Sequence, residues 1–253
     1  MNYENYISLG YFCGVAEDLE KLGLRNMSSP FDWGISDLKG IIELFENKFD
    51  GFMDYTYLKQ SSSLRYHYLD SRYNFFSFHD FSQYKTLAEQ YSEVHKTYQR
   101  RVDRFLKKIC NPTLFFRYIS NETKNEEGKS VELKYIENNL DYIYEIIQSY
   151  NKCNDIIFIG DEHTKSDIIK IYHVDIEKGD VVSRSPIINN PELYPIVKRF
   201  KVENQEDNIE RYKKKQQAKK HLINRMIRLL KVRYERMFKK VYIHSEVYNI
   251  PGK

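Results

Sequence analysis

Short apolar runs alternate with helical patterns along this chain. The first run, YISLGYFC, leads through a glycine into GVAEDLEKLGL, where apolar positions recur three and four residues apart. This pattern predicts a strand, a tight turn and a helix. Similar apolar runs occur in TLFFRYIS and DIIFIG, with helical patterns before and between them. We therefore predict an α/β fold with a layered mixed or parallel sheet flanked by helices.

The remaining segments fill in this layout. RYNFFSFHDF predicts a strand whose C-terminal end carries His79 and Asp80. Apolar spacing predicts helices over 84–109 and 131–150. The cluster DEHTKSD follows DIIFIG and is expected to cap a further helix, with a weaker strand over 172–176.

The C-terminal part differs in charge from the rest. Residues 211–240 contain 13 Lys and Arg against one acid, whereas the remainder of the chain has 27 basic and 35 acidic residues. We therefore divide the chain into an α/β domain over 1–205 and a basic amphipathic helical tail over 206–253. Such a helix suits an anionic partner, or it packs on the body through its apolar stripe.

Composition narrows the class of protein. The three cysteines, Cys13, Cys110 and Cys153, are odd in number and lack CxxC spacing, so we expect reduced thiols and a cytoplasmic protein. We expect no signal peptide and no transmembrane segment, because no apolar run approaches about 18 residues. Phosphate-binding glycine loops and HExxH spacing are absent from the sequence, so we predict no cofactor and no metal.

Cys13 is the strongest candidate for chemistry. It stands between the first predicted strand and helix, where free backbone N–H groups and the helix dipole favour a thiolate. His79, at a predicted strand end, is the candidate base. Each residue also has a structural interpretation, since a small residue suits a strand–helix junction and His79 has aromatic neighbours.

Other polar residues are candidates for supporting roles. The third catalytic member is left open among Asp80, Asn121 and Asp161. Substrate contacts are predicted for four further residues, although caps and core packing explain the same positions. These four are Gly14, Asp32, Trp33 and His163.

The blocks ISLGYFCGVAEDLEKLGLRNMSSPFDW, FHDF and YQRRVDRF…PTLFFRYI resemble a bacterial and viral family described as papain-like cysteine peptidases of unknown function. The resemblance implies a thiol nucleophile at Cys13 and a histidine base at His79. It also implies an association with surface-polysaccharide loci. Papain's tryptophan after the cysteine is replaced here by Gly14, so the backbone N–H groups of Cys13 and Gly14 are the expected oxyanion donors.

Three functions follow from these observations. The first is a cysteine hydrolase or acyltransferase that acts on an acyl, peptide or glycan substrate through Cys13 and His79. The second is a transferase of surface-polysaccharide assembly that binds an anionic sugar donor, with Cys13 only packing. The third is a non-catalytic binding module that uses its basic tail.

Overall fold

The computed structural model describes residues 3–61, 67–178, 180 and 182–219. The strands, in chain order, are β1 (Asn5–Ser8), β2 (Gly34–Ser36), β3 (Leu58–Gln60), β4 (Tyr68–Asp70), β5 (Phe75–Ser77), β6 (Thr113–Tyr118), β7 (Asp155–Gly160) and β8 (Ile171–His173). The helices are α1 (Gly14–Lys21), α2 (Leu38–Glu46), α3 (Leu87–Ile109), α4 (Val131–Asn138), α5 (Leu140–Tyr150), α6 (Tyr194–Val197) and α7 (Gln205–Lys219). The predicted α/β class is confirmed.

Four of the strands form a parallel sheet in the order β1-β6-β7-β8. Its central strands are apolar on both faces, as expected for a sheet covered on two sides. Phe116 and Tyr118 of β6 pack with Val15 and Leu19 of α1 on one face. Phe115 points to the other face, into the cluster built by α2, α3, α4 and α5. Alternation along β6 thus separates two cores.

The other four strands form an antiparallel sheet in the order β2-β5-β4-β3. The sequence predicted β5 but not the other three strands of this sheet, which have only three residues each. Ile35 and Phe76 pair across β2 and β5 and join the α1 core, whereas Phe75 joins the other. This second sheet therefore lies against both cores without entering the parallel sheet.

Two helix predictions need correction. The predicted helix over 131–150 is two helices, α4 and α5, which meet at Asn139. The prediction that DEHTKSD caps a helix is wrong: the ten residues between β7 and β8 form turns and bends. Asp161 closes one of these turns by accepting a hydrogen bond from the Thr164 N–H at 3.0 Å. A connection this short leaves no room for a helix between two neighbouring parallel strands.

The basic C-terminal segment begins as α7, which docks on the end of α1. The Gln205 side chain donates to the Leu22 carbonyl at 2.9 Å, and the Asn208 side chain donates to the Gly23 carbonyl at 3.1 Å. These contacts satisfy carbonyls at a helix C-terminus. The predicted helix beyond residue 219 lies outside the described residues, and the division at 205 stays a prediction. None of the described helices is long and apolar enough to cross a membrane.

A buried arginine ties the parallel sheet to the second sheet. Arg117 of β6 is fully buried and pairs with Glu132 of α4 at 2.5 Å. Its guanidinium also donates to the Leu9 and Ser36 carbonyls, each at 2.6 Å. Leu9 follows β1 and Ser36 ends β2. One planar side chain with several donors thus joins four elements, which the point charge of lysine would not do.

Gly10 makes room for this arrangement. Its φ of +83° lies in the region that favours glycine. A Cβ at this position would lie 2.6 Å from Ser36 Oγ and 3.1 Å from Arg117 Nη1. The turn that leads to Cys13 is therefore shaped by the arginine beside it.

We predict that Arg117→Met lowers the free energy of unfolding by about 3–5 kcal/mol, because Glu132 would keep a buried charge without its partner. Urea unfolding followed by circular dichroism measures this change. Adding Glu132→Leu should recover part of the loss, since removing both charges avoids the uncompensated carboxylate.

The matched control is Arg100→Ala on the exposed face of α3, where the Arg100 side chain donates to the Thr97 hydroxyl of its own helix at 3.0 Å. We expect this change to stay within about 0.5 kcal/mol. Equal stability of the Arg117→Met and Arg100→Ala variants would contradict a structural role for the buried pair.

Candidate active site

Cys13 stands where the first parallel strand turns into α1. It is the N-cap of α1, with φ −70° and ψ −15°, and its side chain makes no capping hydrogen bond. Its carbonyl accepts the first helical hydrogen bond from the Glu17 N–H at 2.9 Å. The thiol is half-buried at the carboxyl edge of the sheet, the edge at which α/β folds hold their ligands.

A second segment covers this helix N-terminus. We call residues 182–190 the covering segment. The Arg184 carbonyl lies so close that a Cβ on Gly14 would be 3.1 Å from it. The fully buried Asp18 carboxylate anchors the segment by accepting a hydrogen bond from the Ile187 N–H at 2.9 Å. The covering segment thus shields the start of α1 from part of the surrounding water.

Enclosure determines the state of the thiol. Burial, together with the nearby Glu17 carboxylate, raises the pKa of Cys13 to about 12, while Lys21 acts in the opposite direction. The expectation that the helix N-terminus would lower this pKa is wrong for the resting protein, because desolvation outweighs the helix dipole. Cys13 is therefore a thiol at neutral pH.

Two of the predicted residues meet at the same edge. Asn121 follows β6 and Asp161 follows β7, and the Asn121 amide donates to both carboxylate oxygens of Asp161 at 3.4 and 3.3 Å. The Asp161 carboxylate also accepts from the His163 N–H at 2.9 Å. The His163 imidazole itself is exposed and lies 3.6 Å from Glu162. Asp161 and Asn121 thus form a polar pair at the edge where the chain turns after β1, while the His163 ring faces water.

Sequence reasoning missed Tyr118, the last residue of β6. Its ring meets Phe12, the neighbour of Cys13, edge to face at a centroid distance of 5.4 Å. The residue is 1% exposed, and no acceptor for its hydroxyl proton lies within the described ranges. The signal was available, because a tyrosine that ends a buried apolar strand brings a polar group to the ligand-binding edge.

His79 lies elsewhere, in the loop after β5. Its exposed ring contacts Trp33 edge to face at 6.3 Å and Phe78 at 4.9 Å. The Arg25 guanidinium lies over the Trp33 ring, 5.8 Å from the ring centroid. Arg25 comes just after α1 ends, so the Trp33 and His79 rings lie towards the C-terminal end of α1.

The structure does not bring Cys13 and His79 together. Cys13 starts α1, whereas the Trp33–His79 contact lies by its other end, and eight helical residues span about 12 Å. The charged groups that act on the thiol are Glu17 and Lys21. The described contacts of the thiol and of the His79 ring thus involve different residues.

The acids near His79 are engaged in structural contacts. Asp32 pairs with Arg25 at 2.6 Å, and burial raises its pKa while that arginine acts in the opposite direction. Asp80 pairs with Arg101 at 2.9 Å and accepts a hydrogen bond from the Tyr98 hydroxyl at 2.6 Å. Both carboxylates hold their own loops in place. In the part of the chain that the structure describes, no three His, Cys, Asp or Glu side chains converge as a metal site.

The sequence model of the family described as "Putative papain-like cysteine peptidase (DUF1796)" matches residues 4–141, more than half of the chain. The chain belongs to this family. The matched part includes Cys13, His79 and Asn121 and ends before Asp161. The family resemblance found in the sequence is thereby confirmed, and its description supports a hydrolase.

A viral relative extends the comparison. "Uncharacterized protein R408" of Acanthamoeba polyphaga mimivirus is 46% identical over 55 residues, which are 21% of this chain. The aligned part spans a quarter of that protein's length. No solved structure matches this chain.

We predict that iodoacetamide alkylates Cys13 more slowly than Cys110 and Cys153 at pH 8, because the last two thiols are exposed and the Cys13 pKa is raised. A pKa near 12 in place of the ordinary value lowers the thiolate fraction about 1000-fold. The Cys13 rate should keep rising beyond pH 10. Peptide mass spectrometry measures all three rates in one sample, and a plateau for Cys13 below pH 8 would show a thiolate at rest.

Proposed function

We propose that this protein is a cysteine hydrolase in which Cys13 attacks an acyl carbonyl. The observation that carries the proposal is the placement of Cys13 at the carboxyl edge of the parallel sheet, at the start of α1, in a chain of the cysteine peptidase family. The Cys13 and Gly14 N–H groups at the helix start suit a developing oxyanion.

The raised pKa fits a nucleophile that is protonated at rest. The thiol transfers its proton to a base only when substrate displaces the covering segment and a carbonyl carbon is in place. The sulfur then bonds to that carbon, the leaving group departs, and water hydrolyses the thioester. An acceptor other than water would make the same enzyme an acyltransferase.

His79 is the proposed base, and its position requires a movement of its loop before it can accept the Cys13 proton. It reaches Cys13 only if its loop moves along α1 towards the covering segment. Asp161 with Asn121 is the better placed candidate for a third member, because it shares the edge with Cys13. Asp80 is committed to Arg101 and Tyr98.

Cys13→Ala should abolish hydrolysis of the substrate found in a panel of esters, thioesters and peptides, because the covalent step has no other nucleophile. The matched controls are Cys110→Ala and Cys153→Ala, which remove exposed thiols at the opposite edge of the sheet and should keep full activity. Release of the acid product is the measurement. Full activity of Cys13→Ala would refute the proposal.

His79→Ala should lower kcat by about 100-fold or more and leave the alkylation rate of Cys13 without substrate unchanged, since the charged groups that act on the thiol at rest are Glu17 and Lys21. His95→Ala is the control, because His95 stacks on Tyr91 within α3. A slower alkylation rate in His79→Ala would show a resting pair, whereas an unchanged kcat would remove His79 from the mechanism.

A further inference from the structure

The Tyr118 hydroxyl lies on the Cys13 side of the parallel sheet. The Tyr118 side chain belongs to the core that holds Val15 and Leu19, so it points to the face covered by α1. Its backbone N–H donates to the Gly10 carbonyl at 3.2 Å, which places it beside the turn that leads to Cys13. The ring therefore extends from the central strand towards the start of α1.

The covering segment fixes how close the two groups are. The Ser183 N–H lies close enough to the Tyr118 hydroxyl oxygen to lower the pKa of that hydroxyl. The carbonyl of the next residue, Arg184, lies against Gly14. Two consecutive residues span at most about 7 Å. The hydroxyl and the start of α1 are thus covered by the same two residues.

This hydroxyl has a proton to donate. Burial, with Asp161 and Glu122 nearby, raises the pKa of Tyr118, so the group stays protonated at neutral pH. Its oxygen faces the Ser183 N–H, a donor, but its proton has no acceptor among the described residues. Buried hydroxyls are nearly always paired, because an unpaired one lowers stability. A bound group that supplies an acceptor oxygen accounts for the exception.

We propose that the Tyr118 hydroxyl is a catalytic hydrogen-bond donor to the acyl oxygen of the substrate, which rests on Cys13 being the nucleophile. As the sulfur bonds to the carbonyl carbon, the C=O electron pair moves to that oxygen, and Tyr118 stabilises its charge without giving up the proton. When the pair returns, the bond to the leaving group breaks and a thioester remains on Cys13. Tyr118 thus adds a side-chain donor to the backbone N–H groups.

Two reagents separate this role from packing. p-Nitrophenyl acetate acylates a thiol through an oxyanion, whereas iodoacetamide alkylates it without one. At pH 9 both rates on Cys13 are measured by peptide mass spectrometry in the wild-type protein and in Tyr118→Phe. We expect acylation to fall about 10- to 100-fold, with alkylation and the melting temperature unchanged.

Tyr11→Phe is the matched control. Tyr11 is equally buried at the same edge, but its hydroxyl interacts with Ser120 and Glu122, so it has no donor to spare. Tyr11→Phe should leave the ratio of acylation to alkylation unchanged.

Equal rates in Tyr118→Phe and the wild type, or an equal fall of both rates, would overturn the role of Tyr118. The role would also be overturned if, in the wild type, the ratio of the acylation rate to the alkylation rate were no higher for Cys13 than for the exposed Cys110. None of these results would alter the outcome of the Cys13→Ala test, which decides the hydrolase proposal separately.

Discussion

The ion pair between Arg117 and Glu132 is the interaction on which the site's geometry depends. A buried guanidinium is tolerated only when its donors are satisfied, and here they bind a carboxylate and two backbone carbonyls. Those carbonyls belong to Leu9, just after β1, and to Ser36, at the end of β2. The arginine therefore fixes where the chain turns towards Cys13 and where the second sheet meets the first.

Several of the proposed site residues lie together at the carboxyl edge of the parallel sheet. Three consecutive neighbours, β1, β6 and β7, end at one edge and carry Cys13, Tyr118 with Asn121, and Asp161 respectively. The covering segment is anchored by Asp18 and encloses the thiol, which explains why its pKa rises in spite of the helix N-terminus. In the proposed mechanism, Cys13 is a protected nucleophile that becomes exposed when substrate binds.

Much of the parallel sheet was predictable because its signals are local. The buried strands β1, β6 and β7 are continuous apolar runs, and α1 and α3 show clear helical spacing. The second sheet was not predictable beyond β5, because β2, β3 and β4 have three residues each and lack the aromatic run that marks β5. The helix expected after DIIFIG is not formed, because Asp161 begins a turn instead. Only ten residues connect β7 to β8, which is too short for a helical crossover.

The positions of the proposed site residues in the fold were more predictable than their contacts. The sequence placed Cys13 between a strand and a helix, and Asn121 and Asp161 at strand ends, as the structure has them. The pairing of Cys13 with His79 depended on how the second sheet packs against α1, which no local pattern encodes. Tyr118 was overlooked because an aromatic residue in a buried strand is ordinarily core, and only the structure shows that its hydroxyl proton has no acceptor among the described residues.

The most direct test of the account is rapid-quench mass spectrometry of the protein during turnover of an acyl substrate. The account predicts that a thioester adduct appears on the peptide that contains Cys13 and decays at the rate of product release. An adduct on Cys110 or Cys153 alone, or turnover without any adduct on Cys13, would contradict it.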